Sequence, residues 1–117
     1  LSKLATRDSL TGALNRRATT EGLRDALARS ARYAHPVSII TMDLDHFKAI
    51  NDRFGHAGGD AVLRRTVRLL THGLREDVDL VGRFGGEEFV MVLPHVGVAE
   101  AAGVACRMRE LLASSPV

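Results

Sequence analysis

The octet Val37-Ser38-Ile39-Ile40-Thr41-Met42-Asp43-Leu44 constrains the fold more than any other stretch of the chain. It is nearly all apolar or β-branched, and Pro36 stands before it. Such a run reads as a buried strand, because branched side chains suit a pleated surface packed on both faces. A buried strand needs partner strands and covering layers, and the rest of the chain must supply both. The chain has 117 residues, enough for one hydrophobic core and too few for two.

The partners are legible around Gly85-Gly86. Residues 79–84 and 88–93 read as short strands on either side of a glycine turn, a β-hairpin closed off by Pro94. The covering layers are helical. Leu23, Ala26, Leu27, Ser30, Ala31 and Ala34 recur at three- and four-residue spacing, which predicts an amphipathic helix over 15–34 ended by Pro36. Thr19 and Thr20 before Glu21 offer a later start. A short helix is expected over 46–53, with Phe47, Ile50 and Phe54 on one side. Three glycines within 55–59 predict a loop. Helices follow over 60–74, with Leu63, Val67, Leu70 and Leu74 inward, and over 98–113, with Val104, Met108, Leu111 and Leu112 inward. Residues 1–7 are weakly helical and read as the possible tail of an upstream linker helix.

The order helix, strand, helix, strand, strand, helix makes an α+β domain spanning 1–117. Its β-α-β-β-α run is five-sixths of a split βαβ sandwich with the closing strand missing. A start at Leu1 and an end in Ser114-Ser115-Pro116-Val117 are read as cuts in a longer protein. A net charge of +2 is too small to imply nucleic-acid or membrane-surface binding. No apolar run approaches the roughly 20 residues of a membrane span, and no signal peptide is visible. The one cysteine, Cys106, lies in an Ala-rich helical stretch and reads as a small core residue. Together these features favour the cytoplasm.

Asp43 and Asp45 stand at the exit of the apolar strand, where a carboxylate is costly unless paired or metal-bound. Two residues apart on a strand, they share a face and suit a hard cation such as Mg²⁺. The competing reading makes both turn or cap residues before His46. A calcium loop over 43–51 is excluded, because Phe47 and Lys48 occupy its fifth and sixth positions. No nucleotide-binding glycine loop of either common pattern exists. A phosphate would instead meet the amino end of helix 46–53, with Lys48 adding charge. Asn51 and Asp60 match the hydrogen-bonding edges of guanine, an amide for N7 or O6 and a carboxylate for N1–H and the amino group. Each is equally readable as a surface or cap residue. His56 is a loop histidine by default, and no histidine pair has zinc spacing.

Gly85-Gly86 permits positive φ and close backbone approach. Glu87 and Glu88 follow, pointing to opposite faces, so only one can meet Asp43 directly. Glu87 is the better candidate, as the turn end nearest the strand exit. Acids from two elements can hold metals for phosphoryl transfer; two solvated surface glutamates are the common alternative.

Three motifs taken together decide among these readings. GGEEF at 85–89 resembles the signature of the GGDEF family of diguanylate cyclases. DLDHFKAINDRFGHAGGDAVL at 43–63 is similar to the family's D-x-D-x-F-K-x-x-N-D-x-x-G-H-x-x-G-D-x-x-L, and DSLTGALNRR at 8–17 resembles its D-x-L-T-G-x-x-N-R-R. The three occur in family order and spacing over nearly the whole chain.

The resemblance implies a nucleotidyl-cyclase or palm-like βαββαβ core, truncated at its C-terminus. It implies a cytoplasmic homodimer, each copy holding one GTP, that makes cyclic di-GMP and pyrophosphate under an upstream sensory or regulatory domain. Asp43, the Leu44 carbonyl and Glu87 would hold Mg²⁺ (or Mn²⁺). Asn51 and Asp60 would hold guanine, with His56 near the nucleoside. Lys48 and the amides near Phe47 would meet phosphate, and Glu87 or Glu88 would assist deprotonation of the 3′-OH. For Asp45 the turn reading stands.

Two departures carry expectations. The family's product-inhibition motif R-x-x-D, five residues before the signature, is here Arg75-x-x-x-Asp79, which predicts a weak or absent inhibitory site. The closing strand and a following phosphate-binding lysine are missing, which predicts poor activity for this piece alone. A non-catalytic GTP-binding module regulating an attached domain is the alternative function. A pure dimerisation unit ranks last, because it leaves Asp43, Asp60 and Glu87 unexplained.

Overall fold

The structure, a computed structural model, describes residues 5–114. Its elements are α1 (Arg16–Tyr33), β1 (Val37–Asp43), α2 (Phe47–Gly73), β2 (Leu80–Gly85), β3 (Glu88–Pro94) and α3 (Val98–Ser114). The three strands form one antiparallel sheet in the order β1-β3-β2. The α+β architecture and the hairpin follow the sequence expectation.

The pleat divides the core between two faces. Ile40, Met42, Phe89, Met91 and Leu93 meet Leu63, Val67 and Leu70 of α2 and Met108 of α3. Val90 and Val92 of β3, with Leu80, meet Leu23 and Ala26 of α1. Met91 and Leu70 are fully buried, each worth about 1.5–3 kcal/mol relative to exposure.

Among the described residues β3 is therefore the buried central strand, and β1 lies at an edge. The sequence predicts burial on both faces for 37–44, yet Ile39 is 45% exposed. An apolar groove of about 680 Å³ runs between the β1 edge and α3, lined by Ile40, Met42, Ala105, Cys106 and Leu112. Cys106 is exposed there, contrary to its expected core position. It lies two residues from both Val104 and Met108, roughly 200° around the helix from that inward stripe.

α1 starts at an Asn15 cap whose side chain accepts from the Ala18 amide at 2.9 Å. The asparagine oxygen satisfies an amide that has no helical partner. The cap is neither Thr19 nor Thr20. Thr19 is fully buried and packs on β2. The contact stripe runs through Thr19, Gly22, Leu23 and Ala26, so Leu27 and Ala31 fall outside it and are exposed.

The loop expected over 54–59 is not formed. α2 is two helical stretches joined across Gly55 (φ 74°, ψ 177°). Only that residue leaves helical geometry. A helical glycine costs about 1 kcal/mol against alanine, which packing outweighs at Gly58 and Gly59. The helix suggested for 1–7 is absent where it is described, over 5–7. Arg7 instead bridges Leu14, and Leu1–Leu4 lie outside the described residues. Leu14 also lies parallel to Gly82, exchanging backbone hydrogen bonds with Val81 and Arg83 along the outer edge of β2.

Candidate active site

β1 ends at Asp43 and β3 begins at Glu88, and the two are cross-strand partners in the antiparallel register. Directly opposed residues share a face of the sheet. With Thr41, Val90 and Phe84 they line a cavity of about 350 Å³. The residue facing Asp43 is thus Glu88, where the sequence reading placed Glu87. The two-residue turn takes Gly86 (φ 40°) and Glu87, which leaves Glu88 as the first paired residue of β3. Glu87 is still tied to the strand exit, because its carbonyl accepts the Leu44 amide at 3.3 Å. The register was legible in one respect. Met42 and Phe89 must both face the core, so their neighbours Asp43 and Glu88 must both face away.

No protein side chain pairs with Asp43, Glu87 or Glu88 among the described residues. No three His, Cys, Asp or Glu side chains converge as a ready metal cage there either. What the strand exit offers is the opposed Asp43 and Glu88 carboxylates with no protein countercharge among the described residues, beside the backbone link from Leu44 to Glu87. Hard cations of the Mg²⁺ type take such a donor set. Asp45 is exposed in the turn that follows β1.

α2 opens beside this strand exit. His46 precedes it in left-handed geometry (φ 59°) with no side-chain cap. The first amides of a helix have no intrahelical partner, and together with the helix dipole they favour an anion. Lys48 is exposed in this first turn, while Phe47 turns its ring toward the core.

Asn51 lies before the Gly55 kink; His56 and Asp60 lie after it. Asp60 sits inside α2, so it caps nothing. Its carboxylate and the Asn51 amide are half-buried and have no protein partner among the described residues. His56 is exposed at the kink.

One positioning group was missed in the sequence reading. Arg83 of β2 meets the Asp8 carboxylate at 3.1 and 3.3 Å and donates from Nε to the Gly86 carbonyl at 3.0 Å. Asp8 also accepts the Thr11 amide at 2.9 Å and hydroxyl at 2.7 Å. Burial pushes the Asp8 carboxyl up, but the hydrogen bonds from Thr11 and Arg83 outweigh it and hold it below its ordinary value. The signal was the Asp-x-x-Thr spacing at residues 8–11, which is that of a side-chain-closed turn.

Arg75 and Asp79 are joined to each other. The guanidinium donates to both carboxylate oxygens, at 2.6–3.2 Å, and to the Pro94 carbonyl at 2.7 Å. The extra residue between them is accommodated by a turn with Asp77 at φ 61°.

Residues 5–116 match the family described as diguanylate cyclase, GGDEF domain. The response regulator PleD of Caulobacter vibrioides is 43% identical over 114 residues, which are 97% of this chain and 25% of PleD. A diguanylate cyclase of Vibrio cholerae is 42% identical over 116 residues, 99% of this chain and 36% of that protein. The chain thus spans about a quarter to a third of the length of these relatives. The crystal structure of the GGDEF domain of DgcB from Caulobacter crescentus, in complex with c-di-GMP, superposes with a TM-score of 0.92 at 30% identity. That match covers all of this chain and 68% of the other. By sequence over nearly its full length and by fold, the chain belongs to the GGDEF-domain family of diguanylate cyclases.

Proposed function

We propose that the chain is a catalytic GGDEF domain that converts two GTP into cyclic di-GMP and two pyrophosphate. The observation that carries this reading is the opposed Asp43 and Glu88 carboxylates, unpartnered among the described residues, at the β1 exit beside the open amino end of α2.

In this reading Asn51 and Asp60 hold guanine, and His56 lies near the nucleoside. Lys48 and the first amides of α2 neutralise and orient the phosphates. Asp43, the Leu44 carbonyl and Glu87 hold Mg²⁺ (or Mn²⁺), which when bound adds positive charge at the reacting phosphate. Glu87, with Glu88 beside it, takes the proton of the 3′-OH. The 3′-oxygen then bonds to the α-phosphorus of the other GTP, and the bond to pyrophosphate breaks. Each domain holds one nucleotide, so two copies must face each other. An upstream sensory or regulatory domain is the natural device for pairing them, and relatives that are three to four times longer leave room for one.

The test incubates the full-length protein, since the 117-residue piece alone is expected to be poorly active, with GTP and Mg²⁺ and separates the products by chromatography. Cyclic di-GMP should accumulate, and Glu87→Gln should abolish it while leaving the circular dichroism spectrum unchanged. A well-folded full-length protein that yields no cyclic dinucleotide would sink the proposal.

A further inference from the structure

Asn51 and Gly59 are eight residues apart on α2. On a straight helix that separation spans about 12 Å. Here the Gly55 kink folds the first stretch back on the second. A Cβ added to Gly59 would fall 1.8 Å from Asn51 Oδ1, 2.9 Å from its Cγ and 3.3 Å from the Phe47 ring. The Asn51 side chain therefore lies directly on the Gly59 backbone, next in sequence to Asp60, with Phe47 as the adjoining wall. Gly59 has no positive φ and is buried. Backbone freedom does not explain a glycine there; the missing side chain does.

We propose that Gly59 is a positioning residue of the base site: its lack of a side chain is what seats the Asn51 amide beside Asp60. The inference rests on the reading of Asn51 and Asp60 as the guanine-binding pair. A methyl group at 59 occupies the space of the Asn51 oxygen. The amide is half-buried and free of protein partners, so it swings outward to solvent rather than breaking the fold. Alanine also favours the helix over glycine, which offsets the small shift asked of Phe47. Gly59→Ala thus removes Asn51 from the site while leaving every proposed ligand chemically intact.

The two ligands read different edges, which makes the effect separable. The O6 and N7 edge offered to Asn51 is common to guanine and hypoxanthine. The 2-amino group offered to Asp60 is present on guanine alone. Calorimetric titration of GTP and inosine triphosphate into the protein and its Gly59→Ala, Asn51→Ala, Asp60→Ala and Gly59→Ala/Asn51→Ala variants tests the assignment. Gly59→Ala should weaken both nucleotides about tenfold, the scale of one lost hydrogen bond. It should keep their affinity ratio and have no further effect in the Asn51→Ala background. Its melting temperature should stay within about 3 °C of the parent.

Unchanged GTP affinity in Gly59→Ala would overturn the proposal. So would an effect that adds to that of Asn51→Ala, or a melting temperature that falls equally with and without Asn51. If Asn51→Ala and Asp60→Ala both bind GTP normally, the base-site reading itself fails, and that outcome is distinct from the others.

Discussion

Arg83 joins Asp8 to the Gly86 carbonyl, so one guanidinium ties the loop before α1 to the turn that presents Glu87. Both partners of the ion pair are mostly buried, with side chains 16% and 21% exposed. Asp8→Asn keeps the shape but loses the charge-assisted contacts, and should cost about 1–3 kcal/mol in urea unfolding. The pH dependence has a definite sign. The Asp8 carboxyl is lowered in the folded state. Its contribution is therefore complete above the unfolded value of about 4 and is lost as the pH falls through the lower folded value. Urea midpoints measured from pH 5 down to pH 2 should fall more steeply for the parent than for Asp8→Asn.

A second close approach controls how α1 sits on the sheet. A Cβ on Gly82 would lie 1.9 Å from the Thr19 hydroxyl, which donates to the Asn15 carbonyl at 2.7 Å. Thr19 is fully buried and cannot swing away. Gly82→Ala should cost about 1–3 kcal/mol, the range for overpacking a filled core. Gly85→Ala is the control, since nothing lies within 4 Å of its added Cβ and its φ is not positive. It should change stability by less than about 1 kcal/mol. Thermal melts of the two variants side by side check the contrast.

The Arg75–Asp79 pair bears on product inhibition. The Arg75 guanidinium is committed to Asp79 and Pro94, and the Asp79 side chain is 3% exposed. Neither group is free to receive a cyclic dinucleotide without breaking the other's contacts. Isothermal titration of cyclic di-GMP should show the same weak or absent binding in the parent and in Arg75→Ala. That variant should also lose about 1–2 kcal/mol of stability, because a buried carboxylate is left with a single backbone donor. Tight binding that vanishes in Arg75→Ala would reject this account.

Much of the domain was legible because its elements are strongly patterned. The Leu63, Val67, Leu70 and Leu74 stripe and the Gly85-Gly86 hairpin stand where spacing places them. The misses share a cause: each depends on a neighbour that local sequence does not name. Gly58 and Gly59 look like chain breakers, yet they are close-packing positions in a kinked helix, against Phe54 and Asn51 respectively. The 43–63 and 85–89 motifs place every candidate catalytic, metal and nucleotide-binding residue in order along the chain. They do not say that Glu88 rather than Glu87 faces Asp43, because that depends on which two residues the hairpin spends in its turn.

That register makes its own prediction. Asp43 and Glu88 are like charges directly opposed on the sheet, with no cation between them from the protein. Such a pair destabilises by a few tenths of a kcal/mol up to about 1 kcal/mol. Glu88→Gln should therefore raise the unfolding midpoint in metal-free buffer with chelator present. Saturating Mg²⁺ should stabilise the parent by mass action and narrow or reverse the difference, since the second carboxylate becomes an asset once a cation lies nearby. The gain should also shrink at high salt, because both side chains are exposed and screened. A Glu88→Gln gain that is equal with chelator and with Mg²⁺ would show that Glu88 does not share a cation with Asp43. The proposed metal ligands would then be Asp43, the Leu44 carbonyl and Glu87, without Glu88.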